Sequence, residues 1–94
     1  MIELRLYGTS GCHLCEQAEG VLQPVLAHIN EHLVNGGLAG VAVVLRVVEI
    51  TDDPELMQRY SLSIPVIRLA ESDDELGWPF DEAQAWEFLI AQLE

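Results

Sequence analysis

Ninety-four residues make one domain, expected to span 1–94, with room for a single hydrophobic core. Half of the chain is apolar without repeats or low-complexity tracts, and its longest apolar runs, such as Val41 to Leu45, fall far short of the ~20 residues of a bilayer helix; disorder and a membrane partner are therefore not expected. Sixteen acids against four arginines and no lysine give a formal net charge of −12, a field that repels nucleic acid and anionic lipid, suits a partner with a basic surface, and otherwise serves as a solvated exterior.

Ile2, Leu4 and Leu6 alternate with Glu3, Arg5 and Tyr7, the period of two that predicts a first strand. Gly8-Thr9-Ser10-Gly11 reads as a turn. From His13 onward, Leu14, Ala18, Val21, Leu22, Val25, Leu26, Ile29 and Leu33 form an apolar stripe at helical spacing. The stripe keeps its phase across Pro24, where a kink is expected because the ring presses toward the carbonyl of Gly20. Asn35-Gly36-Gly37 ends the helix with residues suited to left-handed backbone. Val41 to Ile50 is a β-branched run with little alternation, which predicts a central or well-covered strand reached by a right-handed crossover.

Thr51-Asp52-Asp53-Pro54 opens a short helix through Leu56, Met57 and Tyr60, with an acid as cap and proline in the first turn. Ser63 to Leu69 predicts a third strand opened by Pro65, and the polar turn Glu71 to Glu75 a hairpin into a fourth strand ending near Trp78. Asp81 as N-cap and Gln84 as its capping-box partner start the last helix, whose buried face is expected to be Ala83, Trp86, Leu89, Ile90 and Leu93. The order βαβ, helix, ββα gives an α/β class: a three-layer α/β/α sandwich on a four-stranded mixed sheet.

Cys12-His13-Leu14-Cys15 carries the chemistry. The chain's two cysteines stand three apart at a helix start, where free N–H groups and the helix dipole favour a thiolate. At about 100° per residue, Cys12 lies roughly 110° from the centre of the apolar stripe and Cys15 roughly 50°, so Cys12 is the exposed nucleophile and Cys15 the more buried resolving thiol. His13 points outward; protonated, it would stabilise the Cys12 thiolate, and otherwise it is a solvated residue. Glu16 and Glu19 act against the thiolate.

A structural zinc wants four ligands, and no second cysteine pair exists, so no metal is assigned. His28 and His32, four apart on the same helix, read as partly buried or solvated. The start Met1-Ile2-Glu3-Leu4 lacks the basic and apolar regions of a secretory leader, which predicts a cytoplasmic chain. In that reducing compartment a Cys-x-x-Cys reads as redox-active rather than structural.

A strand ending in Tyr7, Cys-x-x-Cys at a helix start, and Ser63-Ile64-Pro65-Val66 before a later strand together resemble the thioredoxin fold, and within it the glutaredoxin-like proteins. The resemblance covers essentially the whole chain. It implies sheet order 4-3-1-2 with strand 3 antiparallel to the rest, and a cis Ile64–Pro65 bond. The proline would face the cysteines, with the Ile64 backbone pairing with a bound thiol substrate. It further implies a dithiol thiol–disulfide oxidoreductase acting as a monomer without a resident cofactor. Cys12 would attack a protein or small-molecule disulfide and Cys15 would resolve the mixed disulfide.

Two electron donors stay open, glutathione and a thioredoxin-reductase-like enzyme. No lysine precedes Cys12 to hold a glutathione carboxylate, and Gly77-Trp78-Pro79-Phe80 stands where such proteins carry a glycine pair. Both departures count against glutathione. Arg59 and Arg68 are the cations left for substrate binding, and Trp78 is either a core aromatic or an apolar platform for a protein substrate. The competing reading is a redox-sensing or partner-binding module that uses the same fold without turnover. A third is a cysteine-ligated metal carrier completed by dimerisation.

Overall fold

The computed structural model describes residues 1–37 and 40–93. Strand β1 (Ile2–Gly8) leads into helix α1 (His13–Asn35), which returns the chain to strand β2 (Val43–Glu49). A 3-10 turn at Ile50–Asp52 precedes α2 (Pro54–Tyr60), followed by β3 (Val66–Leu69), β4 (Leu76–Gly77) and α3 (Glu82–Leu93). The strands lie in the order β2-β1-β3-β4. β1 runs parallel to β2, in register from Ile2 opposite Val43 to Gly8 opposite Glu49, and antiparallel to β3, which is antiparallel to β4.

Side-chain alternation along the two central strands decides which helix covers which face. Leu4 and Leu6 of β1 and Ile67 and Leu69 of β3 point to one face, where they meet Leu22, Val25 and Ile29 of α1 and Ala85 and Leu89 of α3. Tyr7 and Val66 point to the other and pack with Ile50 and Tyr60 on the α2 side. Burying each such leucine or isoleucine contributes about 1.5–3 kcal/mol, so α1 and α3 share the principal core and α2 caps a smaller one. The Asn30 side chain joins α1 to β2 in both directions: its Oδ1 accepts from the Val43 N–H at 2.8 Å and its Nδ2 donates to the Val43 carbonyl at 3.1 Å.

The helix starts follow their local chemistry. Asp53 caps α2 by accepting from the Glu55 N–H at 2.9 Å, with Pro54 in the first turn. At α3, Gln84 N–H donates to Asp81 Oδ1 at 2.8 Å while Asp81 N–H donates to Gln84 Oε1 at 3.0 Å, a complete capping box. α1 runs unbroken through Pro24. Its C-cap Gly36 has φ −81, so positive φ falls on Gly37 at +87.

Three expectations are corrected. β2 is an edge strand, with Val44 40% and Val47 55% exposed; its β-branched residues suit extended backbone whether or not a layer covers them. Leu14, placed in the apolar stripe, is 45% exposed, because in the first turn of α1 its neighbour Cys15 takes the inward position against Gly8. In α3 the buried residues are Ala85 and Leu89, whereas Ala83 is exposed. Four-residue spacing aligns Ala85 with Leu89, and Ala83 lies two residues away on the opposite side. Trp86, Ile90 and Leu93 are half-buried against the core, the Trp86 ring meeting His32 edge-on at 5.6 Å.

Candidate redox site

β1 ends beneath the start of α1, and the turn between them carries one left-handed residue, Gly11 at φ +78. Cys12 is the N-cap of α1, in extended conformation (φ −81, ψ 109), and its N–H donates to the Thr9 carbonyl at 3.2 Å. Its Sγ accepts a hydrogen bond from the Cys15 N–H at 3.1 Å, the position that a serine or aspartate oxygen takes in an ordinary cap. Cys12 and Cys15 are joined as a disulfide, their Cα atoms 5.2 Å apart. Cys15 is 9% exposed, and Cys12 is more open to solvent.

Two residues that sequence reading left out hold this arrangement. Gly8, assigned to a turn, is the last residue of β1, and a Cβ there would come within 2.9 Å of Cys15 Sγ. Glu49 lies opposite Gly8 in the parallel register. Its Oε1 accepts the Ser10 N–H at 2.7 Å and its Oε2 the Thr51 N–H at 3.3 Å, so one carboxylate ties the cysteine loop to the end of β2. These bonds, the Ser10 N–H foremost and the Thr9 hydroxyl next, hold the Glu49 carboxyl below its ordinary range. The faint sequence signal was an acid closing an apolar strand, which acquires meaning only once the strand pairing is known.

The expected site residues divide. Tyr7 pairs with Val66, the residue that follows Pro65, and the Ile64–Pro65 bond is cis. The Trp78 N–H donates to the Pro65 carbonyl at 3.0 Å; the ring is half-buried against the core and meets Phe80 edge-on at 5.1 Å, and Trp78–Pro79 is also cis. Ile64 is half-buried beside Tyr7 and Tyr60, and its N–H donates to the Tyr60 carbonyl at 3.2 Å. His13 is exposed, its Nδ1 3.8 Å from Glu16 Oε2.

Arg59 and Arg68 are engaged on the α2 side of the sheet. Arg59 pairs with Glu75 at 2.8 Å, and Arg68 donates to the Tyr7 hydroxyl at 2.9 Å while its Nε is buried without a partner. Between them the Tyr7 and Tyr60 rings stack at 4.5 Å, and the Tyr60 hydroxyl donates to Glu75 at 3.2 Å. Burial first, and the Glu75 charge second, raise the Tyr60 phenol above its ordinary value.

Beside the disulfide lies a cleft of about 250 Å³. Val47 supplies its apolar surface, with the buried Leu6 at its floor; the loop residues 8–11 form one rim, and Glu16 and Glu19 of α1 its charged wall. No group of three or more metal-ligating side chains occurs among the described residues, and no helix among them is long and apolar enough to cross a membrane.

Comparison with known proteins agrees with this geometry. The X-ray structure of XcR50 from X. campestris, a Northeast Structural Genomics target, is 34% identical, with a TM-score of 0.69 over 94% of this chain and 96% of that one. The solution structure of XcR50 is 33% identical, with a TM-score of 0.70 over 97% and 95%. A malarial protein shares the fold at 11% identity, with a TM-score of 0.66 over 100% and 99% of the two chains. No curated protein matches. The profile of the Glutaredoxin-like domain (DUF836) matches residues 3–90, and the chain, a thioredoxin-like fold with a Cys-x-x-Cys disulfide at the head of α1, belongs to that family.

Proposed function

We propose that the chain is a dithiol thiol–disulfide oxidoreductase in which Cys12 attacks and Cys15 resolves. The observation that carries this reading is the sulfur cap, in which Cys12 Sγ accepts the Cys15 N–H at the N-terminus of a 23-residue helix. In the reduced protein the same N–H meets a thiolate, and a charge-assisted hydrogen bond together with the helix dipole lowers a thiol pKa from ~8.5. The greater burial of Cys15 keeps it from competing for substrate and leaves it next to the sulfur it must attack.

The steps balance. Cys12 thiolate bonds to one sulfur of a substrate disulfide, the substrate S–S bond breaks, and the first product leaves as a thiolate that takes a proton from water. Cys15, deprotonated, then attacks Cys12 Sγ, the mixed disulfide breaks, and the second product thiolate leaves. Two electrons pass from the protein dithiol to the substrate, giving the Cys12–Cys15 disulfide of this structure. A thiol donor restores the dithiol, either glutathione or a thioredoxin-reductase-like enzyme.

In this reading Pro65 and the Ile64 backbone flank the approaching disulfide, and Trp78 gives that side an apolar surface. Arg59 and Arg68 contact substrate only when released from Glu75 and Tyr7. The setting is the reducing cytoplasm and the working unit a monomer.

Reduced Cys15→Ser, challenged with bis(2-hydroxyethyl) disulfide, should accumulate a mixed disulfide on Cys12 by intact mass, and the wild type should turn over steadily with a thiol donor. Oxidation of the wild type without turnover would favour the non-catalytic redox-sensing module. A Cys15→Ser protein that gains no adduct on Cys12 would remove both readings.

A further inference from the structure

The cleft against the disulfide carries a charge pattern that the redox chemistry does not require. Glu16 and Glu19 form its wall along α1, and Glu49 braces the loop at its rim. Val47, 55% exposed, offers an apolar surface beside these carboxylates.

Among the described residues no arginine balances them. The chain has four arginines and no lysine. Arg5 pairs with Glu3 at 2.6 Å and Arg46 with the same residue at 3.4 Å, Arg59 pairs with Glu75 at 2.8 Å, and Arg68 donates to Tyr7 at 2.9 Å. None of the four lines the cleft. His13 stands outside the lining, its Nδ1 3.8 Å from Glu16 Oε2.

We infer that this cleft selects cationic disulfides, above all a protein disulfide flanked by lysine or arginine, over anionic ones such as glutathione disulfide; the inference rests on the oxidoreductase reading. An ammonium or guanidinium on an aliphatic stem matches both surfaces at once. The stem covers Val47 while the head stays solvated beside Glu16 and Glu19. A disulfide bearing carboxylates meets like charge at the wall and across a molecule of net charge −12, which lowers its encounter rate. The reaction is the one written above, with the cationic disulfide as oxidant and the protein dithiol as reductant.

The test is single-turnover oxidation of the reduced, desalted protein at pH 8 by three disulfides of similar size. These are cystamine, with two ammonium groups, neutral bis(2-hydroxyethyl) disulfide, and 3,3′-dithiodipropionate, with two carboxylates. Each rate is divided by that of dithiothreitol with the same disulfide, which removes intrinsic reactivity. The expected normalised order is cationic, neutral, anionic, with a spread of about ten-fold at ~10 mM ionic strength that shrinks to about two-fold at ~0.5 M. In Glu16→Gln/Glu19→Gln the low-salt spread should fall at least about three-fold.

Equal normalised rates in the wild type would overturn the charge selection while leaving the oxidoreductase intact. An undiminished spread in the double variant would overturn the assignment to this cleft. No reaction with any of the three would remove the oxidoreductase reading, and the inference with it.

Discussion

A Cβ placed on Gly8 would stand 2.9 Å from Cys15 Sγ and 3.2 Å from Cys15 Cβ, so the end of β1 and the buried sulfur share one contact surface. The glycine is required here for space, since positive φ among the glycines falls at Gly11, Gly37 and Gly40. Gly8→Ala should force the first turn of α1 outward and cost about 1–3 kcal/mol, as overpacking does. In a domain of this size that lowers Tm by about 4–8 °C per kcal/mol. Combining it with Cys15→Ala makes the check specific. If the sulfur is what the new methyl meets, Gly8→Ala should cost at least about 1 kcal/mol less in that background, and an additive cycle would refute the contact.

Glu49 supplies the second support of the loop. Its carboxyl is lowered chiefly by the Ser10 N–H and next by the Thr9 hydroxyl. A group depressed in the folded state stabilises it fully above the ordinary carboxylate value, and that contribution disappears as pH falls through the lowered one. The Ser10 amide resonance, followed by NMR, should titrate with a midpoint below ~4.3, and Glu49→Gln should abolish that titration. A midpoint at or above the ordinary value would contradict the clamp.

Tyr60 tests the other side of the sheet. Its phenol is raised first by burial and then by the Glu75 carboxylate, while Arg59 pulls it down. A raised folded-state value gives stability that is complete below the unfolded phenol pKa of ~10 and lost as pH rises through the folded one. Ultraviolet titration should show one tyrosine ionising late, with Tyr60→Phe removing it and Glu75→Gln shifting it downward. An unchanged value in Glu75→Gln would mean that the Glu75 charge plays no part and burial sets the shift.

The capping box of α3 should show directly in stability. Asp81→Ala removes the acceptor for the Gln84 N–H and should cost about 0.5–2 kcal/mol by denaturant unfolding. Gln84→Ala should cost less, because the Asp81 N–H it leaves is exposed and passes to water. Equal melting of Asp81→Ala and wild type would show that the tertiary contacts of Ala85 and Leu89 hold the helix without its cap.

Elements set by near neighbours are legible in the chain itself. The apolar stripe of α1 puts Leu22, Val25 and Ile29 in the core, and the Asp53 and Asp81 caps stand where the side-chain pattern places them. The burial of Cys15 relative to Cys12 follows from helix phase, although Leu14 on the same stripe is exposed. Periodicity reports which residues share a face; it does not report where the covering layer ends. For that reason the β-branched run of β2 reads as covered yet forms an edge, and Ala83 reads as buried where Ala85 is.

The amino-acid order alone determined the Cys12–Cys15 motif, the helix that carries it, the proline segment at Ile64-Pro65, and the family resemblance those parts support. All of these depend on spacings of a few residues. Only the tertiary structure decided that Gly8 yields its space to Cys15, that Glu49 holds the cysteine loop, and that Arg59 and Arg68 are held on the α2 side by Glu75 and Tyr7. Each of those contacts joins residues brought together by strand register or by packing across a layer, over separations from 7 to 61 positions. At such range the partner of a side chain is fixed by how the strands and layers pack, which local pattern does not encode.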